Sequence, residues 1–553
     1  MRPALRDRLV VLALFAGYVA ALFFTEPDLG MSRDESFYVH AARSYASYFE
    51  AVLDDPSKIF DRETIDRAYQ ANREHPVLMK NLYALSYLAH QKLGLFPNET
   101  VAHRFPAMLV AGALVALVFW VGRAWFGFGV GLFAAVAFAT LPRVFYHSHL
   151  NCFDVPIVFF VLLTAYAYWR SLTSKKWAVL TGIAYGLALA TKHNAWGLPL
   201  VFGIHFAWLA AAETARRRRG EPPAIERVPW GIVAMLTLGP LVFFAHWPWI
   251  WNDTLERVGW YVRFHLHHDY YNIVYFGVNQ FRPPFPVAYP FVMTAFTVPL
   301  VILALTLLGI GQRAPAWLPD ALRERWVPNA RAVRDPACTD VLLFGLFAAP
   351  LVIIALPSTP IFGGTKHWMT AYPFMAIYAG VGAALSVEAA ARVSLFKEKV
   401  APLCYAVLLA PGFVETAVSH PYGLAHYTFP AGGTPGAAVH GMNRQFWGYT
   451  TQQVVPFLEE QLPNGGTIFL CDTTWLAWEM LVEAGRAPAN IRPSRSMAGA
   501  DFILVHHEHH FAEVDFQAWV VTGSPQPAFV STHEGVPIIS VYDNRAANRG
   551  ARR

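Results

Sequence analysis

Asp34 and Glu35 stand side by side in MSRDESFYVH (31–40), directly after the apolar run VVLALFAGYVAALFF (10–24). Carboxylates held at membrane depth are costly and are found where they line a cavity or a substrate path rather than lipid. An acid in such a place can take a proton from an acceptor hydroxyl, and nearby cations can stabilise a departing anion. Candidate cations are Lys80, Arg104, Lys192 and Lys366; Glu74, His75, Asp154, His193 and His367 are further candidates. Each has a plainer reading. The acid pair suits the N-terminus of a helix over FYVHAARSYASYF, and Asp154, two residues before Pro156, suits an N-cap. Lys80 and Arg104 suit snorkelling anchors at helix ends. Lys192-His193 falls in a tight turn between two spans, fit either to anchor or to meet a lipid phosphate. The GGT before Lys366-His367 implies backbone close to a ligand.

The elements that must position these residues are membrane helices. Of 553 residues, 55% are hydrophobic and 15% charged, too apolar for one soluble domain. Segments near the roughly 20 residues a span needs lie at 9–25, 104–126, 130–149, 155–172, 176–191, 195–212, 229–250, 289–311, 340–357, 368–390 and 400–418. The first follows the basic MRPALRDR without a small-residue cleavage site and is expected to be retained. A shorter stretch, 81–96, carries His90, Gln91 and Lys92 and either spans or lies on the surface. The positive-inside rule decides. If 81–96 does not cross, the loops holding Arg123, Arg170 with Lys175 and Lys176, RRRRG (216–220), RERW through Arg334, and Arg392 with Lys397 and Lys399 all share the cytoplasmic side with the N-terminus. The polar residues above then gather on the opposite face, and 26–103 becomes a long outer loop with surface helices.

After residue 420 the apolar runs stop. Residues 421–450, rich in Gly, Pro and aromatics, read as an ordered linker or lid. GTIFLCDTT and ADFILVHHE read as strands, WLAWEMLVEAGR as a helix, and FVSTHEGVPIISVYDN as a hairpin about Glu534-Gly535, giving a small α/β domain over 451–553. The histidine clusters HLHHD (265–269) and HHEHH (506–510) follow no recognised metalloenzyme spacing and read as solvated or locally hydrogen-bonded. HWPWIW reads as part of an interfacial aromatic belt. Cys152, Cys338, Cys404 and Cys471 share no metal or disulfide spacing. A net charge of +5 without a basic, aromatic-interleaved run argues against nucleic acid.

No Walker loop, GxGxxG or GxSxG is present, so a soluble nucleotide donor has no phosphate-cradling loop. A sugar carried on a polyprenyl phosphate brings its own stored energy to the outer face. The pieces RDESFY, EHPVLMK (74–80), RFPAMLVAGALVALVFWVGRAWFG (104–127), LPRVFYHSHLNCFDVPIVFF (141–160), TKHNAWGLPL (191–200) and GGTKHWMTAYPFMAIYAG (363–380) resemble, in order, the type C glycosyltransferases of family 39, which contains protein O-mannosyltransferases and aminoarabinose transferases. The resemblance covers most of residues 1–420. It implies an all-α polytopic membrane domain (1–420) and assigns the base to the first acid of the pair, here Asp34. His75-Pro76 matches the family's His-Pro-Pro stretch, with Val77 in place of the second proline. Some relatives place a divalent metal near this stretch, where Glu74 is the matching residue; others need none.

The expectation is therefore an inverting transferase of the plasma (inner) membrane, N-terminus cytoplasmic and C-terminal domain extracytoplasmic. Asp34 and Glu35 are the catalytic candidates; Lys80, Arg104, Lys192, Lys366 and His367 would face the donor phosphate, and His75, Asp154 and His193 line the site. The partners are a polyprenyl-phosphate-linked sugar, membrane lipid, and a glycan, lipid or protein acceptor. The competing class is a transporter or flippase of a lipid-linked saccharide; transporters commonly show paired halves and broken midplane helices, whereas this sequence has no such internal symmetry and its polar residues cluster at one face rather than at the midplane.

Overall fold

The computed structural model describes residues 3–546 except 219, 328, 333, 393–400 and 509–513. Arg219, Lys397, Lys399 and the last two histidines of HHEHH therefore lie outside the described residues.

The helical body runs α1 (Pro3–Thr25), α2 (Arg33–Asp54), α3 (Arg62–Tyr69), α4 (Leu78–Leu93), α5 (Glu99–Phe126), α6 (Phe128–Ala139), α7 (Pro142–His149), α8 (Asp154–Ser171), α9 (Lys176–Thr191), α10 (Leu198–Arg218), α11 (Trp230–His246), α12 (Thr254–Leu266), α13 (Tyr289–Thr297), α14 (Leu300–Arg313), α15 (Asp320–Trp326), α16 (Thr339–Ala355), α17 (Tyr372–Ala391) and α18 (Ala401–Ser419). A short antiparallel pair, β1 (Ile273–Tyr275) and β2 (Val278–Gln280), interrupts it.

Every apolar segment expected to cross is helical, but eleven spans are not what the helices display. Among the described residues six helices are long and apolar enough to cross a membrane, or seven if α6 and α7 count as one bent span. Proline explains two departures. Residues 130–149 are broken at Leu141-Pro142 by a 68° bend, and 289–311 at Val298-Pro299, where Val298 is extended at φ −107°, ψ 134°. A residue before proline is pushed out of the helical region, and proline offers no N–H to the preceding turn. The stretch 81–96 is α4, which packs against α2 and α5 and is not among the six.

Direction along the helices positions the polar residues. α8 starts at Asp154 and ends beyond Arg170; α9 starts at Lys176 and ends before Lys192. The two pack together, so Asp154 and Lys192 meet at one end, while the basic turn 170–176 lies about 27 Å away at 1.5 Å per residue. At the end of α5 remote from Arg104, Arg123 pairs with Asp7 of α1. Where α14 crosses α17, Gly309 and Gly382 each face the other helix's backbone, and a Cβ at either would collide with it; close helix approach needs such small residues.

Residues 421–450 are ordered and contain α19 (Gly433–Val439). Beyond them come α20 (Val455–Gln461), β3 (Gly466–Leu470), α21 (Trp475–Glu483), β4 (Ile491–Pro493), β5 (Phe502–His506), α22 (Val514–Thr522), β6 (Phe529–His533) and β7 (Val536–Asp543). The strands form a sheet of order β4-β3-β5-β7-β6, parallel among β4, β3 and β5 and antiparallel around β7. Alternation along the central strand β5 sends Phe502 and Leu504 to a core shared with Trp478 and Leu481 of α21, and Ile503 and Val505 to one shared with Ala518 of α22. The β6–β7 turn falls at Glu534-Gly535, both at positive φ (49° and 78°), as a tight two-residue hairpin requires.

Candidate active site

The first turn of α2 carries the acid pair. Ser32 caps the helix: its hydroxyl accepts from the Glu35 N–H while the Glu35 carboxylate accepts from the Ser32 N–H at 3.1 Å, a reciprocal capping box. The plain cap reading thus holds for Glu35. Its carboxylate also accepts from Arg104 Nε at 2.8 Å, Arg104 Nη2 at 2.9 Å and the Asn151 N–H at 3.3 Å. Arg104 meanwhile reaches Glu26 at 2.8 Å and the Gly30 carbonyl at 2.7 Å. Glu26 also pairs with Arg486, from beyond α21, at 2.6 Å. Glu35 and Arg104 are fully buried, and their polar atoms are directed at one another rather than into a cleft.

Asp34 points elsewhere. Its Oδ2 accepts from Lys366 Nζ at 2.9 Å, and Arg33 Nε lies 4.0 Å from Oδ1. Burial pushes the Asp34 carboxyl up, but Lys366 and Arg33 outweigh it and leave the pKa below the usual carboxylate value. Asp34 is therefore ionised at neutral pH. Lys366 lies 4.1 Å from the centroid of the Trp447 ring, a cation–π contact supplied by the segment that follows α18. The same segment caps α2, since the Arg33 N–H donates to the Trp447 carbonyl at 2.9 Å.

The GGT motif makes this packing possible. Gly363 and Gly364 both adopt positive φ (70° and 67°); a Cβ at Gly363 would lie 2.5 Å from Lys366 Cε and 2.7 Å from Trp447 Nε1, and one at Gly364 3.2 Å from Arg143 Nη1. The close approach expected from GGT is thus to the lysine, tryptophan and arginine of the site.

Next to this pair, Lys192 Nζ donates to Asp154 at 2.5 Å, and His147 Nδ1 lies 3.9 Å from the other Asp154 oxygen. Asp154 is an ion-pair partner as well as the first residue of α8. His75 packs between the tilted rings of Phe153 at 5.1 Å and His265 at 5.7 Å, and His193 packs against His265 at 4.2 Å, tilted by 31°. Burial holds His75 well below the ordinary histidine pKa and His265 at about 4, so both rings are neutral. His367 lines, with His193 and Asn194, the polar end of a groove of ≈ 390 Å³ between α10 and α16; Val201, Leu346 and Ile353 line its apolar part. Lys80 lies apart from Lys366. Its ammonium donates to the Asn72 carbonyl at 2.6 Å, Asn72 Oδ1 at 3.1 Å and the His75 carbonyl at 3.0 Å, bracing the 72–75 turn. Glu74 accepts from Asn72 Nδ2 at 2.6 Å. Among the described residues it belongs to no cluster of three metal-ligating side chains.

Sequence reading missed Arg143, His265 and Trp447. Arg143 is 1% exposed, lies 5.3 and 5.1 Å from the Tyr427 and Phe446 rings, and has no hydrogen-bonded nitrogen. The Tyr427 hydroxyl beside it donates to the Asn443 carbonyl at 2.6 Å, with its lone pairs open to the guanidinium. A signal was present: Arg143 sits just inside a helix begun by Pro142, in the second half of an otherwise apolar segment.

Residues 76–249 match the family described as dolichyl-phosphate-mannose-protein mannosyltransferase. That match bears out the resemblance carried by the motifs, and with the helical architecture it makes the chain similar to the type C glycosyltransferases. Similar solved structures include ArnT from Cupriavidus metallidurans bound to undecaprenyl phosphate, 14% identical over 96% of this chain and 97% of that one, TM-score 0.47. The Archaeoglobus fulgidus oligosaccharyltransferase in its apo form is 10% identical over 93% and 72%, TM-score 0.45. No curated protein matches.

Proposed function

We propose that this chain is an integral membrane glycosyltransferase that moves one sugar from a polyprenyl-phosphate donor to an acceptor hydroxyl, with inversion, at the face opposite its basic loops. The observation that carries the reading is an ionised, half-buried Asp34 held by Lys366 beside a second cation, Arg143, that has no anionic partner among the described residues. A buried guanidinium without an anion is costly and is matched by a phosphate.

In this mechanism the acceptor oxygen attacks the anomeric carbon as its proton passes to Asp34 and the carbon–oxygen bond to the donor phosphate breaks. The leaving polyprenyl phosphate gains one negative charge. Lys366 and Arg143 stabilise it, and Lys366, in turning to the phosphate, releases Asp34 to act as base. Lys192, braced by Asp154, and His367 complete the rim. The apolar groove between α10 and α16, which ends at His367, suits the first prenyl units. Glu35 and Arg104 position the first turn of α2 from behind. The N-terminus is assigned to the cytoplasm and the sheet domain to the outer side, because one parity puts the basic turns on one face.

The test uses the purified chain with a radiolabelled polyprenyl-phosphate sugar. Wild type forms a new glycosidic bond, which a flippase would not. Asp34→Asn lowers transfer by about 10²–10⁴-fold, the usual worth of a general base, while inserting and purifying normally. Near-normal transfer by that variant removes Asp34 as the base.

A further inference from the structure

We propose that His426, His533 and Glu534 bind a divalent ion of the zinc class where the C-terminal sheet meets the helical body. His426 lies shortly after α18, His533 ends β6, and Glu534 opens the turn into β7. His426 Nδ1 is 3.2 Å from His533 Nε2 and 4.0 Å from Glu534 Oε1; the three ligand atoms all lie within 4.8 Å of one another. Two nitrogens each about 2.0–2.1 Å from one tetrahedral ion stand roughly 3.3 Å apart, so the imidazoles need almost no movement.

Orientation is supplied by Glu415 of α18, whose carboxylate lies 2.7 Å from His426 Nε2. It accepts a hydrogen bond from Nε2–H, so Nδ1 presents a lone pair toward His533; a carboxylate behind a ligating imidazole fixes the tautomer and raises basicity. Glu534 Oε2 accepts from the Thr434 N–H at 3.0 Å, which anchors the carboxylate and leaves Oε1 for the ion. Two nitrogens and one carboxylate oxygen form a donor set for zinc and its first-row neighbours rather than for calcium or magnesium. Three protein ligands leave a fourth position for water. The cluster shares no residue with the Asp34 site, and its ligands come from both sides of the seam, so a bound ion would fasten the sheet to the body.

The competing account is a direct hydrogen bond, with His533 Nε2–H donating to His426 Nδ1. The experiment separates them. Tag-free full-length protein in detergent is stripped with EDTA and titrated with ZnCl₂, reading bound metal by mass spectrometry and unfolding temperature in parallel. One tightly held zinc per chain, with a raised unfolding temperature, is expected for wild type. Glu415→Gln should weaken binding by about 10–100-fold, and Glu534→Gln and His533→Ala should weaken it further. Glu534 is partly exposed, so its variant remains informative if His533→Ala fails to fold. Wild-type zinc content equal to that of Glu534→Gln, or no shift in unfolding temperature, overturns the proposal.

Discussion

Arg104 and Arg143 are buried to the same degree, 0% and 1% exposed, yet they do opposite things with their charge. Arg104 sits between Glu26 and Glu35 and donates to both. Arg143 faces two aromatic rings and a glycine, and none of its nitrogens is hydrogen-bonded. Burial alone therefore does not separate scaffold from site; the partner does. A fully compensated charge holds elements together, whereas an uncompensated one beside an ionised acid has a reason to exist only when an anion arrives.

The largest effect that tests this contrast is on folding. Arg104→Leu strands two buried glutamates and should destabilise the chain by about 3–5 kcal/mol, seen as loss of a monodisperse peak or a steep drop in unfolding temperature in detergent. Arg143→Gln should leave the unfolding temperature within a few degrees of wild type or raise it, because no protein partner is stranded. It should lower transfer by on the order of 10²-fold, the worth of one preorganised charge contact. If the two variants behave alike, the contrast between the arginines fails.

Lys366 gives a smaller effect with a definite sign. In wild type, burial raises the Asp34 pKa while Lys366 and Arg33 bring it below the usual carboxylate value. The base is therefore ionised through neutral pH, and its acid limb lies below the usual carboxylate range. In Lys366→Met the burial contribution is less opposed, and the acid limb of kcat/KM should move up by about one pH unit or more. An unmoved limb would mean that Lys366 does not govern the base.

How far these residues were legible in the sequence follows from what fixes them. The helices and the β6–β7 turn announce themselves through apolar length and through Glu534-Gly535, since both are local. Asp34, Lys366 and the GGT bend were readable because their types are expensive where they sit. The split between Asp34 and Glu35 was not readable: it depends on Arg104, 69 positions further on from Glu35. Trp447 belongs to a segment whose composition reads only as a linker, and it acquires meaning when its carbonyl caps α2 and its ring meets Lys366. His265, dismissed as part of a solvated cluster, is drawn in by packing against His193, a pairing no spacing rule contains. Helix breaks at Pro142 and Pro299 were readable from the prolines, but apolar length dominated the expectation.

A third buried pair sharpens the comparison with the smallest effect. Arg33 Nη2 donates to Glu508, just past β5, at 3.2 Å, and its Nη1 donates to the Asp472 carbonyl at 3.1 Å. Burial raises the Glu508 pKa, and Arg33 offsets that only in part. The folded state then holds the proton more tightly than the unfolded chain does. Stability from this group is fully present below the unfolded carboxyl value and is lost as pH rises through the folded one. Glu508→Gln imitates the protonated acid and keeps an acceptor for Arg33. It should match wild type near pH 4, exceed it at pH 7 by up to about 1 kcal/mol, and flatten the slope between. A variant less stable than wild type at pH 7 would mean that the attraction between Arg33 and Glu508 exceeds the cost of burying the carboxylate.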